Sequence, residues 1–237
     1  MKIYTEETRV KTYHVDKNGL VTTVQVFNFF QEAAFRHSVI DNFGQPDLAK
    51  LNMIWMLSKM KVVILEDALL GEVVEIKSWV RSIKGALSER DFLLICKGKV
   101  VVQATSLWAC LSLNPLKPTP VPPQIVDRML INNDGMVDLS YSKIAPIVGE
   151  FKSDNYTIRS SDVDMVNHTN NVVYVRMVLD NIQSEKRLLQ MDINYVIQSF
   201  QNDLLSINTQ IMNADTQFHE IVNAEGKVVC RLRTEWE

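Results

Sequence analysis

The sequence predicts an α+β chain made of two tandem copies of one unit, a long buried helix wrapped by an antiparallel β-sheet. Three observations predict it. A helical segment apolar on nearly every face occurs twice, over about residues 22–43 and again over about 169–182. Each is followed by β-branched and aromatic runs broken at turn residues. The letters repeat as well: Gly98-Lys99-Val100-Val101, with Trp108 ten residues after the glycine, recurs as Gly226-Lys227-Val228-Val229 with Trp236 at the same offset. In the same order, Gly71-Glu72-Val73-Val74-Glu75-Ile76 is echoed by Asn202-Asp203-Leu204-Leu205-Ser206-Ile207.

Taken in order, residues 5–15 are short and mixed and end at Asn18-Gly19, a turn dipeptide. Thr22 followed by Gln25 reads as a capping box opening the first helix. Its positions Val26, Phe27, Phe29, Phe30, Ala33, Ala34, Phe35, Val39 and Ile40 leave little polar surface, so a sheet must cover it. Ile54–Leu113 supplies that sheet, with turns at Gly71, Gly85 and Lys97-Gly98-Lys99. Residues 114–150 hold six of the seven prolines and read as an irregular connector, because Pro neither donates to a sheet ladder nor continues a helix. The expected division is therefore a first domain over 1–113, the connector over 114–150 and a second domain over 151–237.

The 46% hydrophobic and 22% charged residues describe a globular chain with a core. A net charge of −3 argues against nucleic acid as a partner, since phosphate neutralisation needs a basic surface. MKIYTEETRV lacks the apolar core of a signal peptide, and no apolar run reaches the length of a membrane span. Cys96, Cys110 and Cys230 are odd in number, far apart and set in strand-like runs. They read as buried free thiols, which points to a reducing, cytoplasmic compartment. No Gly-rich phosphate loop or metal-ligand spacing occurs, and His14, His37 and His219 stand alone, so neither metal nor other cofactor is expected.

Chemistry concentrates in Asp162-Val163-Asp164-Met165-Val166-Asn167-His168-Thr169-Asn170-Asn171, before the second helix. Two carboxylates, a histidine and three carboxamides fall within ten residues. Asp and Asn are also ordinary turn and cap residues. A run serving only as a cap should recur in both copies, yet the first reads Val15-Asp16-Lys17-Asn18-Gly19, with one carboxylate and no histidine. That asymmetry favours one functional site on a duplicated scaffold.

The Asp-x-Asp-x-x-x-His-x-Asn-Asn run, Tyr174 beyond it and the Trp55-Met56-Leu57-Ser58 segment together resemble the acyl-acyl carrier protein thioesterases, double hot dog enzymes of plants and bacteria. The resemblance covers essentially the whole chain. It matches Asp162 and Asp164 to the family's two aspartates, His168 to its histidine and Asn170-Asn171 to its Asn pair. Three positions depart: Val166 stands where the family has Asn, Gln198 where it has Glu, and Ser199 where plant members often have Cys.

The resemblance implies thioester hydrolysis at the second helix's N-terminus, with an acyl chain on the phosphopantetheine arm of acyl carrier protein as substrate. Asp164 is expected as base toward water or as the attacking group, two routes that the sequence leaves open, and His168 as partner of the acyl oxygen or the departing thiol. Asn167 and Gln198 would hold water; Gln198 cannot take a proton. Asp162, Thr169, Asn170 and Asn171 would support the site, with free backbone N–H groups near Thr169–Asn171 as an oxyanion hole. Phe27, Phe30, Trp55 and Tyr174 are expected at the acyl chain, with Phe27, Phe29, Phe30 and Phe35 of the first helix lining or closing its tunnel. Lys50, Lys59, Lys61, Arg176, Lys186 and Arg187 are candidate contacts to an acidic carrier. The competing readings are a non-catalytic acyl-binding protein, motivated by Val166 and Gln198, and an acyl-CoA thioesterase. Both a monomer and a homodimer fit the duplication.

Overall fold

Thr22 caps the first helix, its hydroxyl accepting the Gln25 N–H at 3.1 Å, but the expected box with Gln25 does not close, because the Thr22 N–H donates to the His14 carbonyl at 3.0 Å. This is seen in a computed structural model of the chain, which describes residues 3–133, 137, 139–141, 143–182 and 186–237. The chain falls into two compact units, Met1–Ser140 and Tyr141–Glu237.

The first unit contains β1 (Tyr4–Arg9), α1 (Thr23–Ile40), a short α2 (Gln45–Ala49), β2 (Met53–Ile64), β3 (Val73–Lys84), β4 (Leu87–Cys96), β5 (Lys99–Leu113), β6 (Leu116–Pro118) and a one-turn α3 (Pro123–Val126). Its sheet is antiparallel in the order β1-β3-β4-β5-β2, with β6 on β5. α1 buries Val26, Phe27, Phe29, Phe30, Ala33, Ala34 and His37, and Phe30 meets Phe92 of β4 with ring centroids 5.0 Å apart. The helix ends before Phe43, because Asn42 turns left-handed at a φ of 59°. Phe35, expected to help close a tunnel, is instead 40% exposed.

Composition marked 114–150 as irregular but not as unpacked. Val121, Ile125 and Met129 enter one core cluster with Phe43, Leu48, Met53, Val80 and Cys110, so the start of the proline-rich stretch is part of the first unit's interior. Trp55 packs on the same cluster.

The second unit contains β7 (Lys152–Thr157), α4 (Asn171–Asn181), β8 (Leu188–Tyr195), β9 (Leu204–Ile211), β10 (Thr216–Asn223) and β11 (Val228–Trp236). Its order, β7-β9-β10-β11-β8, repeats that of the first unit strand for strand. The repeat extends to single bonds. Trp108 Nε1 donates to Ser106 Oγ and Trp236 Nε1 to Thr234 Oγ1, both at 2.9 Å. Gly71 and Asn202, unlike in letter, both take positive φ, 84° and 72°, and donate their N–H to Val10 and Ile158 respectively. Asn tolerates the left-handed region that Gly enters freely, so one turn accepts either. Among the described residues no helix is long and apolar enough to cross a membrane.

Candidate active site

The Asp162–Asn171 run folds as a tight loop ending on α4, and Asp164 closes it. The Asp164 N–H donates to the His168 carbonyl at 2.8 Å, and the Asp164 carbonyl accepts the Asn167 N–H at 3.0 Å. Asp164 Oδ1 accepts the N–H groups of Val166 and His168 at 3.0 and 3.2 Å. Asn167 is left-handed, with a φ of 63°. Asn170 then caps α4, its side-chain oxygen taking the Val172 N–H at 2.9 Å, so the helix begins at Asn171 rather than at Thr169.

The first unit builds the same loop. The Asp16 N–H donates to the Leu20 carbonyl, and the Asp16 carbonyl accepts the Gly19 N–H. Asp16 Oδ1 accepts the N–H groups of Asn18 and Leu20 at 2.8 and 3.0 Å. Gly19, at a φ of 78°, stands for Asn167. The bridge Val15–Val21 stands for Val163–Thr169. Contrary to the expectation from the unlike letters, the cap does recur in both copies, in hydrogen bonds rather than in letters. Asp164 and Asn167 occupy positions the fold itself requires, and what the second copy adds is an imidazole, His168, where the first has Leu20.

Asp162 also serves the scaffold. Its buried carboxylate accepts the Tyr156 hydroxyl at 2.8 Å, the Arg159 N–H at 2.8 Å and Arg176 Nη2 at 2.6 Å. Burial pushes its pKa up, but these donors outweigh burial and hold it below the usual carboxylate range. In the first unit His14 fills the backbone part of this role, with Nδ1 accepting the Lys11 N–H at 3.2 Å.

The expected oxyanion hole narrows. The Thr169 N–H is taken by the Ser199 carbonyl and the Asn170 N–H by the Asp162 carbonyl, both at 2.9 Å. The Asn171 N–H, first in α4, meets no acceptor among the described residues. It remains, with the positive helix end, to polarise a carbonyl.

His168 is half-buried, its ring edge-on to Phe200 at 5.5 Å. Gln198, also half-buried, precedes Ser199 and Phe200, so the segment that carries it is held against this loop at both residues. Ser199 is buried and bonded to Thr169 Oγ1 at 2.8 Å and to the Tyr174 hydroxyl at 2.7 Å. Burial pushes the Tyr174 hydroxyl up to about 12, so it keeps its proton at neutral pH. Sequence reasoning noticed Ser199 only as the substitute for a cysteine and missed both this hydroxyl cluster and Phe200. The repeat register would have found the cluster, since Thr169, Ser199 and Tyr174 fall on Val21, Ala68 and Val26.

Of the expected acyl contacts, Phe27, Phe30 and Trp55 lie in the first unit and Tyr174 in the second. Phe27 and Phe30 are core residues of α1, and Trp55 Nε1 donates to the Phe43 carbonyl at 3.0 Å. All three cysteines are buried, and burial pushes Cys96 and Cys110 up to about 11 and Cys230 higher still, which leaves no thiolate nucleophile at neutral pH. Four of the basic candidates already hold carboxylates of their own chain: Lys50 with Asp47, Arg176 with Asp162, Lys186 with Asp215 and Arg187 with Glu237.

Comparison with known proteins bears on this arrangement. Residues 1–129 match the family model for the acyl-ACP thioesterase N-terminal domain, and residues 147–237 the model for the C-terminal domain. The palmitoyl-acyl carrier protein thioesterase of Arabidopsis thaliana is 24% identical over 99% of this chain and 64% of its own length. The dodecanoyl-acyl carrier protein hydrolase of Cinnamomum camphora is 24% identical over 96% and 65%. The chain thus spans a little under two thirds of the length of these relatives. A crystal structure of an acyl-ACP thioesterase from Bacteroides thetaiotaomicron superposes with a TM-score of 0.91 at 27% identity, covering 99% of this chain and 98% of that one. The 12:0-ACP thioesterase from Umbellularia californica superposes at 0.87 with 20% identity, over 99% and 97%. The fold is the α+β double hot dog expected from the sequence. With both of its units matched in order by the two halves of one family, the chain belongs to the acyl-ACP thioesterase family.

Proposed function

We propose that this chain hydrolyses the thioester of acyl-acyl carrier protein, releasing a free fatty acid and the carrier's phosphopantetheine thiol, and so ends chain elongation in fatty acid synthesis. One observation carries the reading: on a loop whose backbone bonds recur in both units, only the second adds an imidazole, His168 in place of Leu20. Family membership supplies the substrate class.

The chemistry follows from where bonds are already spent. Asp164 Oδ1 is occupied by two N–H donors, whereas Oδ2 has no hydrogen bond among the described residues and is available to take a proton from water or to attack the thioester carbon. The oxygen charge that develops would be met by the Asn171 N–H at the start of α4. On the base route, the departing sulfur takes a proton from His168 as the C–S bond breaks, and the proton that Asp164 took from water restores the imidazole, so water supplies both the hydroxyl of the acid and the thiol proton. Asn167, exposed on the loop, and Gln198 would order the water. The reaction needs no cofactor. We place the protein in the cytoplasm, acting as a monomer or homodimer, with acyl carrier protein as its partner.

The test is release of free thiol from a panel of acyl-acyl carrier proteins by the native protein and by Asp164→Asn, with acyl-CoA as control. Turnover on carrier-bound chains that disappears in the variant supports the proposal. Binding without thiol release would overturn it in favour of an acyl-binding protein, and faster turnover of acyl-CoA would reassign the substrate.

A further inference from the structure

The two units offer an internal comparison that isolates one buried feature of the second. Register is fixed by shared backbone bonds: the Val21 N–H donates to the Ala68 carbonyl and the Thr169 N–H to the Ser199 carbonyl, both at 2.9 Å. Counting four residues on from the caps Thr22 and Asn170, Val26 corresponds to Tyr174. The first unit therefore closes this point with Val21, Ala68 and Val26, while the second buries three hydroxyls there. The scaffold does not need them. Burying a hydroxyl is unfavourable unless it is hydrogen-bonded, so their presence calls for a role beyond folding.

Their protons form a closed chain. Thr169 Oγ1 has one proton, and a carbonyl can only accept, so it donates to the Ser199 carbonyl at 3.0 Å. Ser199 Oγ then donates to Thr169 Oγ1 at 2.8 Å, and the Tyr174 hydroxyl donates to Ser199 Oγ at 2.7 Å. Ser199 is thus fixed through both carbonyl and side chain. Its proton faces no base, and the residue is 1% exposed, so it does not serve as a nucleophile.

We propose that Ser199 is a positioning residue: clamped between Tyr174 of α4 and Thr169 beside His168, it locks Gln198 and Phe200 in register with the His168 loop. The proposal deepens the hydrolase reading and rests on it for the kinetic readout. A misplacement of about 1 Å at such a site costs about a hundredfold in rate.

The experiment compares native protein, Ser199→Ala, Tyr174→Phe and Thr169→Ser in steady-state hydrolysis of acyl-acyl carrier protein and in NMR of ring-labelled histidine, with the His168 signal identified by its loss in His168→Gln. Ser199→Ala installs the first unit's own residue. It is expected to lower kcat by about ten- to a hundredfold with KM within about twofold and to shift the His168 resonance. Tyr174→Phe should do the same to a smaller extent, and Thr169→Ser, which keeps the hydroxyl that Ser199 bonds, should lower kcat and shift the His168 signal less than Ser199→Ala does. Unchanged kcat and an unchanged His168 signal in Ser199→Ala and Tyr174→Phe overturn the proposal. So does a complete loss of activity with an acyl-serine trapped in the native protein, which would make Ser199 the attacking group. If the native protein shows no turnover, the hydrolase reading fails separately and the His168 resonance alone decides the positioning role. If Ser199→Ala does not fold, Tyr174→Phe and Thr169→Ser decide it.

Discussion

The duplicated loop makes Asp164 testable against its own twin. Asp164 Oδ1 takes two backbone N–H groups, at 3.0 and 3.2 Å, and Asp16 Oδ1 takes two, at 2.8 and 3.0 Å. Each bond is worth about 0.5–1.5 kcal/mol net, with the lower part of that range apt for a site at the surface. Replacing either aspartate by Ala therefore costs about 1–2 kcal/mol, and for a chain of this size each kcal/mol lowers Tm by about 2–4 °C. Asn keeps one oxygen at the same place, so Asp16→Asn and Asp164→Asn should each cost under about 1 kcal/mol.

On activity the twins should part. Asp16→Asn and Asp16→Ala leave kcat near native, whereas Asp164→Asn, with its loop intact, loses about 10²–10⁴-fold, the usual scale of a removed acid–base group. Urea or thermal melting and thiol-release kinetics on the four variants measure both quantities. Near-native activity in Asp164→Asn would show that this carboxylate only shapes the loop, as Asp16 does. An equal loss in Asp16→Ala would show that activity follows loop stability rather than chemistry.

Three further expectations concern the scaffold and one concerns His168. His219 is buried between Thr209 and Thr234, and burial pushes its pKa down to about 3. The unfolded chain binds its proton first, so stability is full above about pH 6.5 and falls toward pH 3 by up to about 5 kcal/mol, a loss that urea titrations should find reduced in His219→Gln. Asp91 is buried with its pKa pushed up to about 6, mainly by burial, against lowering by the Thr105 hydroxyl and Arg81. Here the folded state binds the proton first, so stability falls by up to about 3 kcal/mol as pH rises from about 4 to 6, and Asp91→Asn should gain on native at pH 8 but not at pH 4. Asp162→Asn removes the charge facing Arg176, which is 38% exposed; allowing for that solvent screening, a loss of about 2 kcal/mol is expected in melts. His168→Leu installs the residue of the first unit and should fold normally, since the backbone N–H at 168 still reaches Asp164, while thiol release is lost and is not restored by adding Leu20→His.

What was legible in the sequence were features whose letters and physics coincide. Thr22 with Gln25 gave a true cap, and the Gly-Lys-Val-Val blocks with their tryptophans mark equivalent strands and equivalent indole bonds. Cys96, Cys110 and Cys230 are buried free thiols as expected. What was not legible were equivalences that different letters satisfy. Gly19 and Asn167 both reach the left-handed region. His14 and Asp162 both accept the backbone N–H three residues earlier. Read as letters, the second loop looked unique; read as hydrogen bonds, it is half shared. Proline content marked residues 114–150 as irregular, yet could not show that Val121, Ile125 and Met129 fill the first core, because packing depends on side chains between the prolines.

That division also locates the chemistry more narrowly than the motif does. Within Asp162–Asn171, the roles of Asp162, Asp164, Asn167 and Asn170 each have a counterpart in the first unit, namely His14, Asp16, Gly19 and Thr22. The bonds that recur in both units indicate a fold requirement, and to its recurring bond Asp162 adds the Tyr156 hydroxyl and Arg176. Four positions change from an apolar side chain to a hydrogen-bonding one, Leu20 to His168, Val21 to Thr169, Val26 to Tyr174 and Ala68 to Ser199, while Asn18 to Val166 goes the other way and removes the contact that Asn18 Nδ2 makes to Asp16 Oδ2 at 3.4 Å. Three of these four interlock as the buried hydroxyl cluster, and the fourth is the residue that cluster adjoins. The backbone bonds of the loop recur in both units, so they exert no demand for these side chains. Asp164 is the one group common to both accounts: its Oδ1 belongs to the loop, and its Oδ2 becomes chemically useful only in the unit that places an imidazole four residues away. A carboxylate that the fold already holds rigid thus becomes a site through the addition of neighbours, without any rearrangement of the loop that holds it.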